Sequence, residues 1–172
     1  MEELIRDLLS YSQAIHVDGE PAVSADLNRS LAEALQVLKS HIEETAATVT
    51  ADPLPLVYGE TTQLAHVFQN LLSNSLKYRK KDAALSVHIS AQLTADRCVV
   101  SVTDNGIGFH AQYEKRIFGL FKRLHKDEYP GTGLGLAICQ RIVERYGGRM
   151  WAEGKPGVGA TFFFDLPRAD AA

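Results

Sequence analysis

Four polar side chains lie at helical spacing in the segment 69–78 and together could bind a charged ligand. Since an α-helix turns about 100° per residue, they fall within roughly a 100° arc; they are Asn70, Asn74, Lys77 and Tyr78. The arc beside them is apolar and is expected to face the core, with Leu64, Val67, Phe68 and Leu71. Amide oxygens suit Mg²⁺, an ion that keeps several waters and binds substrate phosphates. Two amides one turn apart would by themselves favour an ordinary helix surface.

A second candidate cluster, Asp104-Asn105-Gly106-Ile107-Gly108, follows a segment rich in β-branched residues. A carboxylate at the end of a strand can accept a hydrogen bond from an exocyclic amine such as that of adenine. Gly106 and Gly108 would let the backbone turn tightly and approach a ligand closely. Many ordinary turns after strands have the same pattern, so this cluster alone leaves both interpretations open.

The glycine-rich run Gly131-Thr132-Gly133-Leu134-Gly135-Leu136 leads directly into a predicted helix. Free N–H groups and the helix dipole at such a start favour a bound anion. A flexible hinge followed by a helix start is the alternative. The run 157–161 is small and glycine-rich as well, and a hairpin turn explains most of it.

The elements that must position these clusters follow from periodicity. Helices are predicted over about 2–15, from Asn28 as N-cap to about 42, over 61–78 and over 134–146. Strands are predicted over 85–91, 98–103, 150–153 and 160–166, with at best a short strand and a turn in 48–57. Helices and antiparallel strands in clustered order predict an α+β fold, a two-layer α/β sandwich. The pattern GxxxxGK[ST] is absent from the sequence, which excludes a P-loop site.

Composition limits the partners. The formal net charge of −3 gives no reason to expect nucleic acid or an anionic membrane surface. The sequence contains no run of about 18 apolar residues, the length needed to span a bilayer. Cys98 and Cys139 lie in apolar segments and are predicted to be buried free thiols. We expect a cytoplasmic chain without membrane contact.

Taken in order, the clusters resemble the N box, the DxGxG box, the F box and the glycine-rich box of sensor histidine kinases, in the GHKL superfamily. The F box here is Ile117-Phe118-Gly119-Leu120-Phe121-Lys122-Arg123. The resemblance covers about residues 1–168. Two stretches are most similar to the phytochrome-like and PAS-linked group: 123–130, and Glu144-Arg145-Tyr146-Gly147-Gly148-Arg149.

The resemblance implies a Bergerat-type ATP-binding fold, in which about three helices cover a mixed, mostly antiparallel sheet. It implies that residues 1–16 are the C-terminal part of the second helix of a dimerisation and phosphotransfer hairpin. A linker, 17–24, the catalytic domain, 25–168, and a tail, 169–172, would follow.

The resemblance also implies roles at the phosphates. Asn74 would coordinate Mg²⁺ between the ATP phosphates, and Asn70 would contact a phosphate or an ordered water. Lys77 would meet the phosphates as a point charge, and Tyr78 would pack beside the adenine. Arg123 would be the lid cation that reaches the γ-phosphate. The implied catalytic residues are Asn70, Lys77 and Arg123.

At the base, Asp104 would accept a hydrogen bond from the adenine amino group. Gly106 and Gly108 would leave room for the base, and Thr161 would lie beneath it. The phosphate side of the lid would be formed by Gly131, Thr132, Gly133, Leu134 and Gly135.

The implied reaction moves the γ-phosphoryl group of ATP to a histidine on the dimerisation hairpin of the same kinase, in two-component signal transduction. The receiver domain of a response regulator would act downstream, and a homodimer could form through the N-terminal helix. Related ATPases place a glutamate where Asn70 stands, and asparagine is a poor base, which favours transfer over hydrolysis. None of the histidines has the setting of the acceptor, so we expect the acceptor helix upstream of Met1; they are His16, His41, His66, His88, His110 and His125.

Three alternatives remain open: an ATP-sensing module that docks a partner without transfer, a hydrolytic ATPase, and a serine kinase of the anti-sigma type. Phe118, Phe121 and Arg123 argue against the first, because a pure binder needs no transfer lid. The F box and the N-terminal helix disfavour the serine kinase.

Overall fold

The chain folds into a five-stranded sheet with helices packed on one face, in a computed structural model that describes residues 2–15, 23–124 and 131–170. The helices are α1 (Glu2–Ile15), α2 (Leu27–Glu44), α3 (Thr61–Lys77) and α4 (Gly135–Arg145). The strands are β1 (Ser24–Asp26), β2 (Thr48–Ala51), β3 (Leu56–Tyr58), β4 (Ser86–Leu93), β5 (Arg97–Asp104), β6 (Met150–Lys155) and β7 (Gly159–Pro167). Two short 3₁₀ turns, Ala111–Tyr113 and Arg116–Phe118, interrupt the long loop after β5.

The sheet has the strand order β2-β4-β5-β7-β6, and only the β2–β4 pair is parallel. β1 and β3 form a separate antiparallel pair. In the β5–β7 pair, Asp104 lies opposite Ala160. Alternate residues of the strands enter the core, as a sheet with one covered face requires. This mostly antiparallel sheet under helices confirms the predicted α+β sandwich.

α3 supplies the centre of the core because its apolar face carries large side chains at helical spacing. Leu64, Phe68 and Leu71 are fully buried there. The ring of Phe68 meets that of Phe164 from β7 edge-to-face, with centroids 5.6 Å apart. This contact sets the polar strip of α3 at a fixed height above the sheet.

The start of α2 differs from the sequence prediction. Asp26, not Asn28, is the N-cap, and its side chain accepts a hydrogen bond from the backbone N–H of Asn28. The Asn28 amide instead exchanges two hydrogen bonds with the backbone of Leu54, at 2.8 and 2.9 Å. Asn28 therefore fastens the proline-containing segment 52–55 to the helix.

Most of the predicted linker, 17–24, lies outside the described residues, and its last residue, Ser24, begins β1. α4 ends as predicted at the glycine pair, where Gly147 has a φ of +80°. Both cysteines are buried and free, as predicted. No helix among the described residues is long and apolar enough to cross a membrane.

The helix predicted over 2–15 is present as α1, and it packs against α4. Its inward side carries Leu4 and Tyr11, which contact the core. The other large apolar side chains of α1 form a stripe that points to solvent: Ile5, Leu8 and Leu9 are 55%, 43% and 59% exposed. α1 thus lies on the domain by a mixed face and leaves most of its apolar stripe uncovered.

Candidate functional site

A cavity of about 510 Å³ lies between α3, the turn after β5 and the segment that leads into α4. This volume suits a small-molecule ligand. Eleven of the residues predicted for the site line it: Asn70, Asn74, Lys77, Tyr78, Asp104, Gly108, Arg123, Gly131, Thr132, Gly133 and Gly135. Segments far apart in the sequence therefore meet around one space.

The polar strip of α3 forms one wall of the cavity. The Nδ2 atom of Asn70 is buried, and the Asn70 side chain lies beside the Cys139 thiol, whose pKa it lowers against the effect of burial. Burial lowers the pKa of the Lys77 ammonium, Arg123 lowers it further, and Glu3 opposes the shift. The two cations, Lys77 and Arg123, both line the cavity and are suited to an anionic ligand.

Asp104 also lines the cavity and is held in a fixed orientation. Its Oδ1 accepts from the backbone N–H groups of Gly106, at 2.9 Å, and Ala160, at 3.3 Å. Its Oδ2 accepts from the Ser75 hydroxyl at 2.9 Å. Burial raises the pKa of the Asp104 carboxyl, and these three hydrogen bonds partly oppose the shift. A buried acceptor with a fixed direction can select a ligand that presents a donor.

The turn after Asp104 is clamped on two sides. The N–H of Ile107 donates to the Tyr78 carbonyl at 3.0 Å, and the Ile107 carbonyl accepts from Gly157 at 2.8 Å. Gly108 has a φ of +66°, and a Cβ there would collide with the Lys155 carbonyl oxygen. The run 157–161 therefore forms the β6–β7 hairpin, as predicted, and also supports the turn.

The glycine-rich segment crosses the cavity and touches both the lid and α3. Gly133 has a φ of +75°, and a Cβ there would lie 2.7 Å from the backbone carbon of Phe121. A Cβ on Gly131 would collide with the Lys77 ammonium. Gly135, the first residue of α4, faces the Asn70 side chain. Glycine at these positions lets the backbone come this close.

The F box is divided between core and lid. Ile117 and Phe118 are buried, and Phe118 meets Phe162 with ring centroids 6.5 Å apart. Phe121 is half exposed with a φ of +59°. Lys122 and Arg123 then line the cavity. The buried half anchors a segment whose second half carries the cations.

Three of the predicted residues do not line the cavity. Thr161 lies on the outer face of the sheet, where its hydroxyl pairs with that of Thr103 at 3.1 Å. Side chains alternate along a strand, and Ala160 faces the cavity instead. Leu134 is buried in the core, and Gly106 contributes its backbone N–H to Asp104.

A family model described as "Histidine kinase-, DNA gyrase B-, and HSP90-like ATPase" matches residues 59–170, which include all of these cavity segments except α1 and the α2 residue His41. The chain belongs to this ATPase family. The predicted resemblance to histidine kinases of the GHKL superfamily is therefore confirmed.

Curated relatives agree with the assignment to this ATPase family. Cyanobacterial phytochrome A of Nostoc sp. (strain PCC 7120) is 45% identical over 168 residues, which are 97% of this chain and 22% of that protein. The adaptive-response sensory kinase SasA of Synechocystis sp. (strain PCC 6803) is 33% identical over 175 residues, 97% of this chain and 45% of that protein. The chain thus spans less than half the length of either relative.

Solved structures share the fold of this ATPase domain. Full-length ShkA in complex with AMPPNP superposes with a TM-score of 0.80 at 25% identity, covering 98% of this chain and 36% of that one. The nucleotide-free catalytic domain of the histidine kinase ThkA gives a TM-score of 0.73 at 23% identity, covering 87% of this chain and 99% of that domain. The predicted fold class is confirmed by these matches.

Sequence reasoning missed several residues that line the cavity or hold Asp104 in place. Ser75 is a polar residue within the buried face of α3, and that position was a usable signal. Ala160 could not be found from side-chain chemistry, because it contributes its backbone N–H. Glu3 and Asp7 of α1 line the cavity, and only the packing of α1 brings them there.

Proposed function

We propose that this chain binds ATP with Mg²⁺ and donates the γ-phosphoryl group to a histidine of a dimerisation hairpin, as the catalytic domain of a histidine kinase in two-component signalling. One observation carries the proposal: an oriented, partly buried carboxylate, Asp104, and two cations, Lys77 and Arg123, line one cavity. The first suits a nucleotide base and the second suits its phosphates.

The base end follows from Asp104. With Ser75, Gly106 and Ala160 holding the carboxylate, an adenine amino group can donate to it in one direction. A base with a carbonyl oxygen at that position would place two acceptors against each other, which is unfavourable in a buried site. The site therefore selects adenine over guanine.

The residues of α3 fit a magnesium ion at the phosphate end. No group of three or more His, Cys, Asp or Glu side chains suited to a metal occurs in the described part of the chain. Mg²⁺ needs none when it takes its ligands from phosphates, waters and one or two protein oxygens. Asn74 lines the cavity, and its amide oxygen would supply that ligand. Bound there, the ion would neutralise charge on the phosphates.

The side chains at this end suit transfer more than hydrolysis. Phosphoryl transfer depends mainly on positioning and charge neutralisation. Lys77 and Arg123 supply positive charge, and Asn70 cannot act as a base that activates water. The bond between the γ-phosphorus of ATP and the bridging oxygen would break as a ring nitrogen of the acceptor histidine bonds to that phosphorus, with ADP as the leaving group.

The proposal has consequences for partners and location. The partners would be the phosphoacceptor hairpin of the same kinase and, downstream, a receiver domain; the structure of ThkA with the response regulator TrrA is an example of the second in a protein of the same fold. The exposed stripe of α1 would contribute to a homodimer. We propose the cytoplasm as the compartment, in keeping with two free thiols.

The proposal is tested by mixing the chain with radiolabelled ATP, Mg²⁺ and the dimerisation hairpin of the same kinase. We expect acid-labile phosphate on the hairpin, and we expect Asn74→Ala to reduce it by roughly a hundredfold or more, as loss of a charge-stabilising ligand does. Gln69→Ala is the control, because it removes an amide from the same helix outside the cavity. No labelled hairpin would refute transfer, and steady phosphate release in its place would establish a hydrolytic ATPase.

A further inference from the structure

Two carboxylates of α1 reach the cationic end of the cavity. Glu3 and Asp7 lie one helical turn apart and line the cavity together with Lys77 and Thr132. The Thr132 hydroxyl donates a hydrogen bond to Asp7 Oδ2 at 2.5 Å. α1 is therefore tied to the glycine-rich segment at the end where phosphates would enter.

The rest of α1 holds these carboxylates in place. Leu4 and Tyr11 pack against the core on the same face as Asp7. The Arg141 guanidinium of α4 lies near the Tyr11 hydroxyl, which raises the pKa of Arg141. The contacts of Leu4, Asp7 and Tyr11 recur at the spacing of one helix face. Contacts along the length of α1 therefore hold the helix on the domain and keep Glu3 and Asp7 at the cavity.

The carboxylates favour the charged forms of two nearby side chains, of which Lys77 lines the cavity and His66 does not. Glu3 favours the charged form of Lys77, against the effects of burial and of Arg123 on its pKa. Asp7 acts in the same sense on His66, whose pKa burial lowers. Docked α1 therefore places negative charge where a nucleotide would place its own.

We propose that docked α1 competes electrostatically with the terminal phosphate of the nucleotide, so that Glu3 and Asp7 weaken the binding of ATP more than that of ADP. Binding of ATP would in turn release α1 from the glycine-rich segment, because the two effects are the same coupling free energy. The inference rests on the proposed nucleotide site and assigns its regulation to a helix outside the matched family segment.

The test is calorimetric titration of ATP and ADP, with Mg²⁺, into the full chain and its charge-neutral variants. Glu3→Gln combined with Asp7→Asn keeps the shape of both side chains and removes both charges. We expect ATP to bind this variant roughly tenfold more tightly and ADP within about twofold, the ratio that about 1.4 kcal/mol supplies. The ATP difference should shrink in high salt.

Glu2→Gln is the matched control, because Glu2 is exposed on the same turn of α1 and does not line the cavity. It should leave both affinities unchanged. An equal gain for ATP and ADP, or a gain no larger than in Glu2→Gln, would overturn the inference while leaving the nucleotide site intact. Absence of binding in every protein, the unaltered chain included, would overturn the proposed function itself.

Hydrogen exchange gives a second, independent measurement. In the unaltered chain, a non-hydrolysable ATP analogue should speed the exchange of the α1 amides, and ADP should not. In the doubly neutral variant these amides should exchange faster before any nucleotide is added, since the Asp7–Thr132 bond is weakened. Protection of α1 that increases when the ATP analogue binds would contradict the proposal.

Discussion

The pKa of the Asp104 carboxyl is subject to two opposing influences. Burial favours its neutral form, whereas Gly106, Ala160 and Ser75 favour the charged acceptor that a base would need. Removing the side chain as Asp104→Ala would strand these three donors, at a cost of about 1–3 kcal/mol for each one left buried and unsatisfied. Asparagine is the better probe, because its Oδ1 can still accept both N–H groups.

We expect Asp104→Asn to lower the affinity for ATP by at least about a hundredfold. The charged acceptor is replaced by a neutral amide, and the one remaining oxygen of that amide already accepts both backbone N–H groups. Because the folded state raises the pKa of Asp104, the carboxylate is destabilising above that pKa. The variant should therefore gain stability relative to the unaltered chain as the pH rises from the ordinary aspartate range through the raised pKa.

Calorimetric titration and thermal unfolding between pH 4 and pH 8 measure both effects. Asp82→Asn is the control, an exposed aspartate in the turn before β4. Normal ATP binding by Asp104→Asn would show that the base is held elsewhere.

At the scale of elements, the turn after β5 depends on the hairpin that follows much later in the sequence. Gly108 of the turn and Gly157 of the β6–β7 hairpin have similar left-handed conformations, with φ of +66° and +75°. Their surroundings differ. A Cβ on Gly108 would collide with the Lys155 carbonyl, whereas a Cβ on Gly157 would have nothing within 4 Å.

Gly157→Ala should therefore lower the free energy of unfolding only by the backbone strain of about 1–2 kcal/mol. Gly108→Ala should cost clearly more, because the turn and the hairpin must separate to admit the methyl group. Urea unfolding of both variants measures the difference. Equal losses would mean that the turn is not clamped by the hairpin.

The elements themselves could be predicted because their periodicity is strong, as in α3 and in β4 and β5. What failed depended on contacts between distant residues. Asp26 and Asn28 are both good caps, and only the bond from Asn28 to Leu54 separates their roles. The sequence does not show which residues of β7 face the cavity. Phe162-Phe163-Phe164 are three apolar residues in a row, and such a run obscures the alternation of buried and exposed positions.

At the scale of the whole molecule, eleven of the predicted site residues line one cavity. They could be predicted because the motifs that contain them follow one another in a recognisable order along the sequence. The contribution of α1 could not be predicted. Ile5, Leu8 and Leu9 stay exposed although they are apolar, whereas Asp7 and Tyr11 turn inward toward Thr132 and Arg141. Those partners lie more than a hundred residues away in the sequence.

The opposition of Asp104 and Ala160 across β5 and β7 also has a kinetic meaning. Asp104 takes its donors from Ser75 and Ala160, 29 and 56 residues away in sequence, so the acceptor is complete only after non-local strand pairing. Pairings of this kind form slowly, because the chain must close a long loop first. A nucleotide can bind only the finished sheet.

Saturating ATP should therefore slow unfolding in proportion to its occupancy and leave the refolding rate unchanged. Stopped-flow unfolding and refolding in urea, with and without nucleotide, separate the two rates. Faster refolding with ATP would show that the acceptor is assembled before the transition state. If the refolding rate is unchanged, the ligand stabilises only the completed native state and extends its lifetime, without accelerating folding.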